Sequence, residues 1–425
     1  MRLTHTIGVA AATLVVAACS TSRYLDVTAP NAVPVELFDA PTSATLMVNS
    51  AIGDFECAFG AAVMVEGIIS DELADAQLGA AQWPYDRRDA NTQTNGIYGT
   101  SGCNSNQGPG IYTPLSTARF AADNAITKLT AWTDAQVPNR TALLAQANLY
   151  AGFAYAMLGV SMCQAAFDLG PAVDQKGMFA LAEKRFTDAI TAAQTANLPN
   201  IVNAAYVGRA RMRLYQGNLA GAIADAQLVP KGFVYNAATD AADSRRNNRV
   251  FAATQQTGNY TVESVSLNLT TENGEADPRS AVVTTTTRPA DSRSIISVPK
   301  KYSAASTTLG DAIPLPLARY EEAQLIIAEA QGGANAVTII NALRATVPLK
   351  PYTGATDAAS IKNLVIDERR RVLFVEGLRN YDIERFSLPF TPPVGTAYPR
   401  VGGNYGNTTC LPLPDVERFN NPNIK

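Results

Sequence analysis

Apolar residues recur at helical spacing along most of the chain, and two long polar segments interrupt them. Positions three and four apart share one face of a helix, so the pattern predicts amphipathic helices around a common core. The predicted helices cover residues 42–74, 116–132, 139–159, 181–194, 204–229, 317–331 and 335–347. The interruptions, 78–114 and 236–316, are typical of long loops. Within the second, Ser264–Leu269 and Ser280–Thr287 predict short strands, so the fold class is mainly α with a few strands.

Short segments recur within the helical part of the chain. "FTDAI" (Phe186–Ile190) returns as "LAGAI" (Leu219–Ile223) 33 residues later, and "YAGFA" (Tyr150–Ala154) returns as "YVGRA" (Tyr206–Ala210). Small residues let paired helices approach closely, and a period near 34 is that of tetratricopeptide units. The repeats therefore predict tetratricopeptide-like helical pairs.

The stretch "IDERRRVLFVEGLRNYDIERF" (Ile366–Phe386) is about half charged, against 17% for the whole chain. On a helix, Glu368 falls on the same face as Leu364, Val365 and Val372. A carboxylate inside an apolar stripe must be paired, because an isolated buried charge costs several kcal/mol. Gly377 interrupts the helix and allows the following segment to change direction.

Three interpretations of this charged stretch compete. It is a buried ion-pair lattice that locks two helices together, a solvated charged face, or a catalytic carboxylate pair such as Glu368 with Glu376 or Glu376 with Asp382. No aromatic or polar substrate platform accompanies the cluster, so the ion-pair lattice is favoured and catalysis is disfavoured.

The N-terminus predicts an exported lipoprotein. Residues 1–18 combine an early Arg with an apolar core too short to span a bilayer, as a signal peptide does. "LVVAAC" resembles a lipobox that ends at Cys19, whose acylation would hold the protein on a membrane; an ordinary cleaved signal is the alternative. Residues 19–41 then form a tether, and no other segment looks apolar enough to be a membrane span.

Charge and composition exclude several functions. Without residues 1–18 the chain has 33 Lys and Arg against 37 Asp and Glu, a net charge of −4, and this argues against nucleic-acid binding. The only His, His5, lies in the signal, so neither a Ser-His-Asp nor a Cys-His nucleophile system is available. A P-loop and a GxGxxG motif are also absent from the sequence, and no cofactor is expected.

Four cysteines remain after the signal and Cys19: Cys57, Cys103, Cys163 and Cys410. In an exported protein an even number predicts two disulfides, with three possible connectivities. No CxxC pair occurs, so no metal site is expected. Cys57–Cys103 is the favoured pair because these two residues flank one compact segment.

The charged stretch resembles the C-terminal signature of the SusD/RagB family, an ERR element followed by EG-x-R-x-x-D and an Arg-aromatic pair. The matching residues are Glu368, Arg369, Arg370, Glu376, Gly377, Arg379, Asp382, Arg385 and Phe386. "PLPLARYEEAQLIIAEA" with "IINALRA", "LPLPDVERFNNPNI" and Leu25-Asp26 also fit the family, in the right order. After Gly159, "VSMCQAAFDLGP" departs from the family's usual short turn.

The resemblance implies a non-enzymatic lipoprotein on the outer surface of the outer membrane. Such proteins have helical, tetratricopeptide-like folds and irregular loops that bind ligand. They capture oligosaccharide, or sometimes peptide, for a TonB-dependent barrel transporter. Residues 42–425 would form one such domain with an irregular insertion at about 236–316. The alternatives are a tetratricopeptide-type scaffold in envelope assembly, with no small ligand, and a carboxylate-using glycoside hydrolase.

Ligand binding is expected on loops, where sugars dock on aromatic faces and polar side chains bind their hydroxyls. The loop "AAQWPYDRRDANTQTNGIYG" carries the candidate side chains Trp83, Tyr85, Asp86, Arg87, Asn91 and Tyr98. Trp83 and Tyr85 are the first candidates. The alternative is that both aromatic residues pack onto their own loop or against the transporter.

Overall fold

The structure is a computed structural model that describes residues 38–77, 83–91, 97–104, 109–400 and 402–424. The predicted signal peptide, Cys19 and most of the predicted tether lie outside the described residues. The mainly helical fold is confirmed. The helices, named α1 to α15 in chain order, are Ala44–Ile69, Trp83–Asp86, Ile97–Thr100, Tyr112–Ala131, Arg140–Ser161, Gln175–Thr195, Pro199–Tyr215, Leu219–Ala226, Arg249–Phe251, Thr307–Asp311, Tyr320–Gln331, Gly333–Arg344, Ala358–Val372, Arg379–Phe386 and Asp415–Asn420.

The described strands are short and form four separate antiparallel pairs. They are β1 Leu73–Asp75, β2 Gln164–Ala166, β3 Ala172–Asp174, β4 Val234–Ala237, β5 Tyr260–Val262, β6 Val282–Thr284, β7 Ser297–Pro299 and β8 Leu315–Arg319. The pairs are β1 with β5, β2 with β3, β4 with β8 and β6 with β7. Two of these pairings, β1–β5 and β4–β8, connect segments far apart in sequence, so the sheets fasten loops to the helical scaffold.

From α4 to α8 each helix packs against the next one in sequence, and α1 packs against α4 and α5. The repeated segments explain how closely these helices approach. A Cβ at Gly152 of α5 would lie 2.7 Å from the Phe186 ring, and a Cβ at Gly208 of α7 would lie 2.5 Å from the same ring. The Phe186 side chain of α6 is therefore held between two glycines that occupy equivalent positions in the repeat.

The helix α5 is long and apolar enough to cross a membrane by length and composition, with a mean hydropathy of 1.3. It nevertheless lies in the protein core, since 89% of its apolar window is buried against other helices. Phe153 on this helix makes an edge-to-face contact with Phe186 at 4.9 Å between ring centroids. This burial is that of a core helix.

The irregular segment, at about residues 236–316, has β4 at its start and β8 at its end, and these two strands pair with each other. Two expectations about this region are corrected. Residues 317–319 belong to β8 rather than to the following helix, because Ala318 and Arg319 pair with Tyr235 and Val234 of β4. The run Ser264–Leu269 begins with a single helical turn rather than a strand, whereas Val282–Thr284 is a strand.

The charged motif is buried, and its ion pairs reach well beyond the motif. Glu368 has no exposed surface, and its carboxylate binds three guanidinium groups. The N–O distances are 2.6 Å to Arg344, 2.7 Å to Arg279 and 2.9 Å to Arg371. Two of these partners come from α12 and the irregular segment, so Glu368 joins three parts of the fold.

The remaining charges of the motif pair in the same way, with N–O distances of 2.6 to 3.2 Å. These pairs are Arg369–Asp382, Arg385–Asp382, Arg379–Asp71, Arg370–Asp71 and Glu376–Lys301. Gly377 sits between α13 and α14 with a φ of +78°, a conformation that favours glycine and turns the chain. Burial raises the pKa of Asp382, but Arg369 and Arg385 outweigh this effect and hold it below the usual value.

Two disulfides are present, Cys57–Cys103 and Cys163–Cys410, with Cα–Cα distances of 5.6 and 5.0 Å. The favoured pair, Cys57–Cys103, is confirmed. The first disulfide ties the segment after α3 to α1, and the second ties the C-terminal segment to the end of α5. Leu411 strengthens the second attachment, because its N–H donates to the Ser161 carbonyl at 2.8 Å.

Candidate ligand-binding cleft

An open cleft of about 580 Å³ lies beside the β1–β5 pair. The loop before β7 forms one wall, and the C-terminal segment from Pro392 to Tyr405 forms another. Its charged and aromatic lining consists of Asp75, Asp86, Glu263, Arg400 and Tyr405. Both the volume and the mixture of apolar and polar groups match small-molecule sites, which typically occupy about 300–1,000 Å³.

Asp75, the last residue of β1, lies at the floor of the cleft. It pairs with Tyr260 of β5 and has no exposed surface. Gln77, two residues further along the chain, is a hydrogen-bonding neighbour of its carboxylate. The nearest cation is Arg400, whose Nε lies 3.7 Å from Oδ2. Burial, reinforced by the charge of Asp86, raises the pKa of Asp75 to about 7.

Asp86 is the second carboxylate of the floor and closes the single turn α2. It is 5% exposed and accepts a hydrogen bond of 2.9 Å from the Tyr398 hydroxyl. Burial raises the pKa of Asp86 to about 7 in spite of this hydrogen bond. The pKa values of both neighbouring carboxyl groups are therefore raised mainly because burial disfavours their charged forms.

Arg400 connects the floor to the wall of the cleft. Its guanidinium forms an ion pair with Asp291 and lies at a longer distance from Asp75. Asp291 also accepts from the backbone N–H groups of Arg293 and Ser294, each at 2.9 Å. Burial opposes these contacts, but they hold the pKa of Asp291 well below its usual range. The wall loop is therefore folded around a charged carboxylate that Arg400 neutralises.

Arg88 attaches the loop that carries Asp86 to the C-terminal segment. Its guanidinium donates to the carbonyls of Thr391, Pro392 and Gly406 and lies 4.7 Å from the centroid of the Tyr405 ring. The backbone of the same loop also binds the C-terminal segment, since the Gly406 N–H donates to the Arg87 carbonyl at 2.7 Å. Arg88 is 1% exposed, so these contacts are structural rather than available to a ligand.

The structure brings one of the six predicted ligand residues, Asp86, to the cleft lining. Tyr85 and Tyr98 have no exposed surface, so neither ring offers a face to a ligand in this conformation. Trp83 is half-buried outside the cleft lining, and Asn91 is exposed on the surface. Arg87 lies near the cleft, since its guanidinium carbon is 5.7 Å from the centroid of the Tyr398 ring.

Sequence reasoning missed Asp75, Arg88, Arg400 and Tyr405. Asp75 follows an apolar helix and precedes a polar loop, which is a common context and gave no signal. The C-terminal segment offered a signal in "AYPRVGGNYG", where aromatic residues and an Arg lie among turn-forming glycines. Its contact with the loop after α1 depends on tertiary structure alone.

The molecule is thus a helical-repeat scaffold whose long loops enclose a polar cleft. A sequence model described as the SusD family matches residues 230–418. The SusD/RagB resemblance of the charged motif is therefore supported in the C-terminal part of the chain. A search of curated proteins finds no match.

Solved structures described as SusD superfamily or SusD-like proteins share the fold over nearly their whole length. A SusD superfamily protein from Bacteroides vulgatus has a TM-score of 0.66 at 17% identity, covering 91% of this chain and 98% of its own. A SusD-like carbohydrate binding protein from the same organism has a TM-score of 0.66 at 15% identity, covering 91% and 97%. A laminarin-binding SusD-like protein has a TM-score of 0.64 at 17% identity, covering 90% and 98%.

Proposed function

We propose that this protein is a cell-surface lipoprotein that captures a glycan and delivers it to a TonB-dependent transporter. The observation that carries the proposal is the cleft of about 580 Å³, whose walls are loops held on a helical scaffold. Two of the similar structures are described as carbohydrate-binding and laminarin-binding proteins. The cleft offers what a sugar needs, namely apolar surface beside polar side chains.

The proposed role is binding without catalysis. Hydrolysis of a glycosidic bond needs an acid and a second carboxylate that both reach the bond. Asp75 has no exposed surface, and Asp86 is committed to Tyr398 and is 5% exposed. The carboxylates of the charged motif are enclosed in ion pairs, and Glu368 has no exposed surface at all. These placements favour capture of an intact ligand.

Anchoring and the partner complete the proposal. Cys19 would carry the acyl chains, and the tether would leave the folded domain free to approach a SusC-like barrel in the same outer membrane. The proposed ligand residues on the loop after α1 are Trp83, Arg87 and Asn91, together with Asp86 in the cleft. Tyr85 and Tyr98, whose side chains are buried, would hold that loop in place.

Two experiments test this function. Native outer membranes are extracted in mild detergent, the protein is captured, and its companions are identified by mass spectrometry. A large TonB-dependent barrel is the expected companion, whereas envelope-assembly proteins in its place would favour the scaffold function.

The second experiment measures binding by calorimetry with fragments of laminarin, starch, xylan and mannan, with oligogalacturonate and with mixed peptides. Binding of a glycan without its cleavage is expected. Binding of peptides alone would replace the glycan with a peptide ligand, and turnover of a fragment would contradict the non-enzymatic role.

A further inference from the structure

We infer that the cleft binds a glycan that carries O-acetyl groups, and that Ile295 contacts the methyl group of an acetyl substituent. This inference rests on the proposed function and specifies its ligand class. It starts from the kind of apolar surface that the cleft offers. Where a ligand can reach the described lining, the apolar side chains are aliphatic, and the aromatic ring of the lining is buried.

The described lining of the cleft offers no aromatic face to a sugar. Tyr405 is the aromatic residue of that lining, and it is 6% exposed. Its ring lies edge-on to the Tyr398 ring at 5.2 Å between centroids, and the guanidinium carbon of Arg88 lies 4.7 Å from its centroid. Because these contacts are internal, the stacking of a sugar ring on an aromatic side chain is not available at this residue.

The apolar groups that a ligand can reach are aliphatic. Ile295 is the largest exposed one, since it lines the cleft and is 72% exposed. A branched aliphatic side chain presents methyl groups rather than a flat face, so it packs closely against a small apolar substituent. The other apolar lining residues that are at least partly exposed are Ala74, Leu267, Pro392, Ala397 and Pro399.

The loop that carries Ile295 is held in place on both sides. On one side Asp291 accepts from the backbone N–H and the hydroxyl of Ser294, at 2.9 and 2.7 Å. On the other side the Thr261 hydroxyl donates to the Ile295 carbonyl at 2.8 Å and accepts from the Ser297 N–H at 2.9 Å. The Ile295 side chain itself stays exposed, so the fold fixes an apolar group in the open cleft. A binding group that is already ordered loses little entropy when a ligand arrives.

Hydroxyl groups beside Ile295 suit the sugar part of such a ligand. Ser264, Thr284 and Thr396 line the cleft and are exposed, and their side chains can donate to and accept from sugar hydroxyls. An O-acetyl group is uncharged and adds one methyl group to the sugar. Burial of that methyl group against Ile295 should strengthen binding about fourfold, which corresponds to about 0.8 kcal/mol for each buried group of this size.

The test uses matched ligands that differ only in their acetyl groups. Calorimetry measures the dissociation constants of acetylated xylan and glucomannan fragments, each before and after mild alkali has removed the acetyl esters. The acetylated form of at least one fragment should bind the wild type about fourfold or more tightly than its deacetylated form. A laminarin fragment without acetyl groups and a mixture of apolar peptides complete the set of ligands.

Two substitutions of similar shape isolate the apolar contact. Ile295→Val keeps an apolar branched side chain and should keep most of the preference for the acetylated form. Ile295→Thr places a hydroxyl there and should reduce the preference to below about twofold. Both variants should unfold at the wild-type temperature, because the side chain is largely exposed. The matched control is Leu309→Ala on α10, which is 63% exposed outside the cleft lining and should leave the preference unchanged.

The outcomes separate this inference from the proposed function. If a glycan binds equally well with and without its acetyl groups, or if the laminarin fragment binds most tightly, the glycan function stands and the acetylated ligand class is wrong. If acetylation strengthens binding but Ile295→Thr keeps the full preference, Ile295 is not the contact. Binding of peptides alone, or of none of these ligands, contradicts the proposed glycan function itself.

Discussion

At the scale of single residues, Glu66 of α1 shows how far burial changes a carboxyl group. Its side chain is 1% exposed, and one of its two oxygens accepts from the Asn380 amide at 2.9 Å. Burial dominates over this hydrogen bond and raises the pKa of Glu66 to about 8. Glu72 is likewise 1% exposed, and burial raises its pKa to about 8 although it accepts from the Val375 N–H.

These two raised pKa values predict how stability depends on pH. The folded protein keeps a proton on Glu66 above pH 4.5, where the unfolded chain has lost it. The stabilising contribution is therefore complete below about pH 4.5 and is lost as the pH rises towards 8. Each such group lowers the free energy of unfolding by up to about 1.4 kcal/mol per pH unit in that window. Thermal unfolding measured between pH 4.5 and 8 should show the decline.

Glu66→Gln isolates the effect, because the amide has the shape of the protonated acid and does not titrate. The variant should unfold at nearly the same temperature as the wild type at pH 4.5 and at an increasingly higher temperature as the pH rises to about 8. Asp71 provides the opposite case. Burial raises its pKa, but Arg379 outweighs this and lowers it, so its contribution is lost on acidification. An unchanged pH slope in Glu66→Gln would contradict the assignment.

A second prediction at the residue scale concerns the charged motif. Glu376 is 7% exposed and binds Arg319 at 2.9 Å and Lys301 at 2.6 Å. Glu376→Ala removes the carboxylate that pairs with Lys301 and leaves Arg319 with the longer pair to Glu321 at 3.4 Å, and should lower the free energy of unfolding by about 3–5 kcal/mol. Urea unfolding measures the change. Asp188→Ala, which breaks an exposed pair with Lys184, should cost under about 1 kcal/mol. Equal losses in the two variants would show that burial does not matter.

At the scale of elements, the Cys163–Cys410 disulfide closes a loop of 247 residues and holds the segment that carries Arg400 and Tyr405 to the cleft. Cys163→Ala with Cys410→Ala should lower the free energy of unfolding by about 2–5 kcal/mol. The Cys57–Cys103 pair spans 46 residues. Its removal should cost about 1.5 kcal/mol less, because the loop entropy grows with the logarithm of length. Denaturant unfolding of both double variants checks the order, and a reversed order would show that local strain or contacts dominate.

How far the sequence predicts these elements depends on the range of the contacts involved. The helices are predictable because the apolar periodicity is local. The close helix packing at Gly152 and Gly208 is predictable because these glycines recur within a repeated segment. The apolar periodicity predicts a helix at residues 317–319, because the pairing of Ala318 and Arg319 with β4 is not a local property. Asp86 is predicted as a ligand residue because it is a polar residue of a long loop, which is a local property. Asp75 and Arg400 are not predicted, because they come together only in the folded protein.

At the scale of the whole molecule, the last prediction concerns how the domain is held at the cell surface. The proposal assigns attachment to acyl chains on Cys19, and each buried CH₂ group contributes about 0.8 kcal/mol to membrane binding. Cys19→Ser should therefore move the protein from the outer-membrane fraction to the soluble fraction. Its unfolding temperature should stay the same, because the ion pairs and disulfides that hold the fold lie between residues 38 and 424.

Cell fractionation and labelling with a palmitate analogue test this prediction, and the two readouts separate two causes of membrane retention. A Cys19→Ser protein that loses its label but stays with the membrane would be held by a partner. Deleting the gene of any TonB-dependent barrel captured with it should then release the protein. If the wild-type protein takes up no label, the N-terminus is instead an ordinary cleaved signal peptide. Delivery to a transporter would then depend on diffusion alone.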